Sequence, residues 1–350
     1  MAVSSGLVLR SGLIPLNLLF NSFTRDTGDV KSLTTRRVWV LSAAVMVALC
    51  ACSSTPPVTP PTATLTTEST TATPHKSTTP QIPPPPPPTT STRNFARLVT
   101  AAGVTQWLQC FGTGDVTAVI VPGLGSSTSD WLTVLPQLQQ ITRTCIYDRP
   151  GLGHSPQRAD GRDPLDAGRH ATELAAALNT AGEHGPYLII GHSYGGLIAR
   201  AFIAQQSRAI AGVFLAESVT PNDPTLGDMW NEATSLIDLE ASSRATQGGP
   251  PLGSRPLLVM SASRPEANRL NGPASGQSTD VTDEWNRGQR ANLQLSSDSI
   301  AVTAHSGHVL QKDSPEAVVE GVRELMRAID TGKPLTCTPV WKQWQAICRQ

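Results

Sequence analysis

Hydrophobic residues along this chain fall into short runs, each closed by a glycine-rich or polar turn. Ala118 to Val121, Cys145 to Tyr147, Tyr187 to Ile190, Gly212 to Ala216, Pro256 to Ser261 and Ile300 to Thr303 each read as a strand. Two longer stretches, Gly196 to Gln206 and Ala317 to Ile329, read as helices. The first helix follows its strand through Gly191-His192-Ser193-Tyr194-Gly195, so strand, sharp turn and helix succeed one another without a linker. A different apolar run, Val38 to Ala51, stands directly behind Arg36-Arg37. From Ser53 to Arg93 no apolar pattern survives. That tract is almost entirely Pro, Thr, Ser and Ala, passes through Pro83 to Pro88, cannot bury a core and tends toward extended polyproline II.

Positive charge, a short hydrophobic stretch and small residues before a break make the Arg36 to Cys52 region an export signal, too short to favour a membrane span. Leu49-Cys50-Ala51-Cys52 resembles the bacterial lipobox, which makes Cys52 the expected acceptor of a lipid and the cell membrane's outer face the expected location; simple secretion is the alternative. About 35 residues precede the signal, either a genuine extension or the product of a start codon placed too far upstream. The expected organisation is residues 1–52 as extension and signal, 53–93 as spacer, 94–335 as the folded domain and 336–350 as a tail. Lys and Arg total 27, as do Asp and Glu, so no basic surplus exists to neutralise phosphates, and nucleic acid is not an expected partner. No dinucleotide-binding glycine motif opens the first strand, no phosphate-binding Walker loop occurs, and the cysteines lack zinc-ligand spacing.

Gly191-x-Ser193-x-Gly195 between a strand and a helix is the setting in which a strained turn lifts a serine hydroxyl above a sheet, at a helix N-terminus that favours negative charge. Three further blocks accompany it in order: Pro122-Gly-Leu-Gly125 after the strand at 118, Asp148-Arg-Pro-Gly-Leu-Gly-His-Ser155, and Ser306-Gly-His308 ahead of the last helix. Together they resemble the α/β-hydrolase superfamily from about residue 94 to 335, and the Asp148 block is similar to that of its small serine esterases and peroxidase-like enzymes. The resemblance implies an α/β fold with a mostly parallel central sheet flanked by helices, and a small cap inserted after the sixth strand. It implies a small-molecule ester or lipid substrate and no cofactor or metal.

Acyl transfer by serine needs a nucleophile, a base, an acid that orients the base, and donors for an oxyanion. Ser193 is the expected nucleophile. His308 is the expected base, because Ser306-Gly-His308 and Asp313-Ser-Pro-Glu316 match the family's ending; His305 is the rival. The acid is harder to place. Glu217 closes the strand Gly212 to Ala216, a position similar to that of the acid in haloalkane dehalogenases and some lipases, and it leads over Glu266 and Asp223. The oxyanion donors implied are the backbone amides of Leu124 and Tyr194. Asp148 and Arg149 take a structural role in the family, holding loops. The resemblance also sets the strand near Cys110 beside that near Cys145, which with export makes a Cys110–Cys145 disulfide plausible, and Cys337 and Cys348 are candidates for a local one in the tail. The stretch 218–255, with Trp230, Leu236 and Ile237, is the expected cap, and 265–297, with Trp285, is expected to be irregular; loops of this kind shape the acyl and alcohol pockets. A serine nucleophile argues against epoxide hydrolase and dehalogenase chemistry. A peroxidase-like activity shares the triad, and an inactive envelope-binding protein on the same scaffold would not need all three groups.

Overall fold

The computed structural model describes residues 93–159, 161, 163–221, 223, 229–263, 280–344 and 346–349. The signal, Cys52 and the spacer lie outside the described residues, as does Glu266.

Six strands form the parallel centre of a nine-stranded sheet, five of them buried almost throughout and the sixth, Ser299–Ala304, alternating buried with half-buried residues. Their order in space is β4 (Arg143–Asp148), β3 (Thr117–Val121), β5 (Tyr187–His192), β6 (Ile210–Ala216), β9 (Leu257–Ala262) and β10 (Ser299–Ala304). Continuous apolar strands of this kind are what a sheet covered on both faces requires. Successive residues go to opposite faces: Val119 and Val121 join one core cluster, Ala118 and Ile120 the other. On the first face pack α2 (Ala167–Ala181) and α3 (Tyr194–Gln206), and on the second α1 (Leu135–Ile141) and α7 (Pro315–Thr331). β1 (Phe95–Ala101) and β2 (Val104–Phe111) extend one edge antiparallel. The far edge is closed by β11 (Ile347–Arg349), antiparallel to β10, so the stretch set apart as a tail adds a strand to the sheet. Cys110 is bonded to Cys145 across β2 and β4, and Cys337 to Cys348 beside β11.

The insertion after β6 holds a two-stranded hairpin, β7 (Met229–Glu232) and β8 (Ser235–Asp238), followed by α4 (Leu239–Ala245). The hairpin is tied to the main domain through Leu165, whose amide donates to Leu236 O at 2.8 Å and whose carbonyl accepts the Asp238 amide at 2.7 Å. The second insertion is not irregular throughout: α5 (Asp280–Asn292) occupies much of it and buries Trp285. Its only large apolar residue is that tryptophan, so the apolar periodicity that betrays most helices is missing. The remaining helix, α6 (Leu310–Asp313), is a single turn after β10. Among the described residues no helix is long and apolar enough to cross a membrane.

Candidate active site

In open sheets of this kind, ligands gather at the carboxyl ends of the parallel strands. Ser193, Glu217 and the Pro122–Gly125 turn follow directly on such ends, those of β5, β6 and β3, and His308 lies in the loop that leaves β10. Ser193 sits at φ 53° and ψ −126°, a positive φ that L residues rarely adopt, between β5 and α3. The two motif glycines explain how the turn closes. A Cβ on Gly195 would lie 2.1 Å from Val121 O, and one on Gly191 would lie 2.8 Å from Gly195 O. No side chain fits at either place.

Ser193 Oγ is 2.9 Å from His308 Nε2. His308 Nδ1 faces Glu217 Oε2 at 3.4 Å. That gap exceeds the usual range of about 2.7–3.2 Å, and the same oxygen accepts the Trp285 indole N–H at 2.9 Å. Glu217 Oε1 accepts the Ala262 amide at 2.7 Å, so two donors from β9 and α5 fix the carboxylate. Glu217 is 1% exposed and has a positive φ of 43°. The backbone of His308 is held as well: its carbonyl accepts from His192 Nε2 at 2.8 Å, and the Gly307 amide donates to Asp313 Oδ2 at 2.9 Å. Burial, reinforced by the neighbouring His308, pushes His192 down to about 3. His192 therefore stays neutral near pH 7, with Nε2 as the donor.

Leu124 lies in the turn after β3, whose Gly123 abuts the nucleophile: a Cβ there would be 3.1 Å from Ser193 Cβ. Its amide and that of Tyr194, the first residue of α3, have no acceptor among the described residues. The turn is braced by Arg149, which donates from Nη1 to Pro122 O at 2.7 Å and from Nη2 to Gly123 O. Arg149 is paired with Glu232, not with its neighbour Asp148. Asp148 instead accepts from the Thr128 amide and hydroxyl at 2.6 and 2.8 Å and from the His154 amide at 2.9 Å, holding the loops around it.

The rivals are elsewhere. The His305 side chain is exposed, while its carbonyl accepts from Ser314. Asp223 lines a cavity of about 520 Å³ with Arg200, Thr220 and Arg287. The roles of three participants escaped sequence reasoning. Trp285 stood only as a residue of a pocket-shaping irregular stretch, not as a donor to the acid, and His192 only as the variable residue of the Gly-x-Ser motif. Glu232 had a signal, since it shares the inward face of β7 with Trp230 at two-residue spacing.

The model of the α/β-hydrolase fold family matches residues 118–252. The chain is 28% identical over 229 residues to an uncharacterized protein, YqjL, of Bacillus subtilis, covering 59% of this chain and 82% of that one. It is 35% identical over 104 residues to an AB hydrolase superfamily protein of Gibberella zeae, 29% of this chain but only 32% of that one. Among solved structures, Est1E of Butyrivibrio proteoclasticus with ferulic acid bound superposes with a TM-score of 0.50 at 15% identity, over 67% of this chain and all of that one. Sheet order, flanking helices and these likenesses agree: the chain has the α/β-hydrolase fold.

Proposed function

We propose that this chain is a serine hydrolase that cleaves an ester or related acyl bond through a covalent Ser193 acyl-enzyme. The observation that carries the reading is the unbroken chain of contacts from Ser193 Oγ through His308 to Glu217, at 2.9 and 3.4 Å. In the first step His308 Nε2 takes the hydroxyl proton as Oγ attacks the acyl carbon. Glu217, held by Ala262 and Trp285, faces the positive charge that grows on the ring and draws Nδ1–H inward; such contacts are commonly long before substrate binds and tighten with the reaction. The amides of Leu124 and Tyr194 receive the oxyanion. His308 then returns the proton to the leaving alcohol, and water repeats the sequence to free the acid. The family likeness supports hydrolysis of a small-molecule substrate in general terms, and the serine nucleophile narrows it to acyl bonds.

The test is turnover of short-chain p-nitrophenyl esters by the wild type and Ser193→Ala. The expected result is loss of turnover with little change in the thermal melt. Undiminished turnover in the variant contradicts the reading.

From the signal-like segment we further propose a lipid anchor at Cys52, with the Pro/Thr tract as a spacer on the outer face of the cell membrane. One acyl chain binds a membrane only marginally, so more than one is needed. Expressed in a lipoprotein-processing bacterial host, the wild type is expected to fractionate with membranes and to carry added acyl mass, and Cys52→Ala to lose both. A soluble wild type with an unmodified N-terminus contradicts the anchor.

A further inference from the structure

The Gly123 carbonyl and the Leu124 amide belong to one peptide unit, and a trans peptide points these two groups in opposite directions. Whatever holds the carbonyl therefore aims the amide. The holders are Arg149 Nη2 and, from within the turn, the Ser126 amide at 3.1 Å, and Arg149 also places Nη1 on the preceding Pro122 carbonyl at 2.7 Å. The guanidinium is buried and is gripped in turn by Glu232, Oε2 accepting from Nε at 2.7 Å and Oε1 from Nη2 at 2.6 Å. Glu232 Oε1 also accepts the Gly125 amide at 2.8 Å. The peptide units before and after Leu124 are thus both fixed by one buried ion pair. Burial opposes both charges, yet each stabilises the other: Glu232 raises Arg149, and Arg149 holds Glu232 below the usual carboxylate range.

Glu232 is not part of the turn it steadies. It closes β7, and Ala233 begins the hairpin turn at φ 52°. A Cβ on Gly151, in the Arg149 loop, would come within 3.0 Å of Ala233 Cβ, so the hairpin tip rests on that loop. The hairpin thus meets the turn through the Glu232 carboxylate, while Trp230 on the same strand packs edge-on against Tyr194 with ring centroids 6.1 Å apart.

We propose that Glu232 is a positioning residue: through Arg149 it sets the direction of the Leu124 amide, and so couples the cap hairpin to stabilisation of the oxyanion. This deepens the proposed function and rests on its assignment of Leu124 as an oxyanion donor. With the hairpin seated, the donor is aimed; with the pair broken, only the Ser126 amide still holds the Gly123 carbonyl, and the aim of the donor loosens.

The experiment compares the wild type, Glu232→Gln, and the double variant Arg149→Met with Glu232→Leu. The double variant is included because removing one partner strands a buried charge, whereas apolar replacement of both partners commonly preserves the fold. Amide hydrogen exchange over Gly123 to Ser126, with α3 as internal reference, is expected to quicken about tenfold or more in both variants. Unchanged exchange overturns the proposal, whatever the protein does to esters. The second readout pairs an oxygen ester with its thionoester, whose developing sulfur anion is a poor hydrogen-bond acceptor. For the oxygen ester kcat is expected to fall about 10- to 100-fold, short of the ~10²–10³ lost when such a donor is deleted. KM should stay nearly constant and thionoester turnover should change little, so the ratio of the two rates collapses. Equal losses on both substrates, or a loss confined to KM, overturn the proposal. A wild type that cleaves neither ester, with the turn still loosened in the variants, faults the acyl-transfer reading and supports the clamp.

Discussion

Ser193 and Glu217 are two of the four non-glycine residues with positive φ among the described residues, and both face His308. Strained backbone at such positions costs about 1–3 kcal/mol each and persists only where the surroundings impose it. For Ser193 the constraint is the close approach of Gly195 to β3. Gly195→Ala is expected to destabilise by about 3 kcal/mol, the upper end for overpacking, because the new Cβ would meet a backbone carbonyl that cannot withdraw; a denaturant melt measures it. For Glu217 the consequence is chemical. Glu217→Gln keeps the shape but not the charge facing the imidazole, and kcat is expected to fall about 10⁴-fold, as when another triad carboxylate is neutralised. An effect below about tenfold would remove Glu217 from the proposed triad. The elbow was legible in the sequence because its geometry is local, with glycines two positions either side of Ser193. Trp285 and Glu232 were not, because they meet Glu217 and Arg149 from 68 and 83 positions away, and only the fold brings them there.

At the scale of elements, each strand read from an unbroken apolar run is present as part of the parallel centre. The outer strands β1 and β2 mix polar and apolar residues without a regular period; only the part of β2 near Cys110 was placed, through the family resemblance, and α5 and α6 went unread. Helix α2 also left little trace, since polar Glu173 and His170 lie on its buried side. Glu173 is wholly buried and accepts from Arg158 at 2.9 and 3.0 Å and from Arg169 at 2.7 Å, tying α2 to the loop after β4. Burial alone would raise its carboxyl, but the neighbouring His170 and Arg158 bring it down to about 2 from 4.5. The folded value lies below the unfolded one, so the stabilisation is complete above about 4.5 and is lost as pH falls toward about 2. Glu173→Gln is expected to cost roughly 3 kcal/mol or more at pH 7 by removing the buried carboxylate that Arg158 and Arg169 share. It is also expected to flatten the loss of stability between pH 4.5 and 2. Urea melts across that range check the sign, and a parallel loss in both proteins contradicts it.

Over the whole molecule, the sheet order carries the site: β3, β5, β6 and β10 deliver their carboxyl ends to one side. The two disulfides tie the sheet near its edges, across β2 and β4 and beside β11. The Cys110–Cys145 bond closes a separation of 35 residues, worth roughly 4 kcal/mol by chain entropy. Reduction of the unfolded chain followed by refolding is therefore expected to lower Tm by several degrees. An unchanged Tm would show that the bond contributes nothing to stability. The central claim is that Ser193 is the nucleophile, and the most direct measurement is intact-mass analysis after exposure to a fluorophosphonate, with peptide mapping of the adduct. The account predicts one adduct per chain, on Ser193, and none on folded Ser193→Ala. An adduct on the alanine variant, or none on the folded wild type, would contradict it.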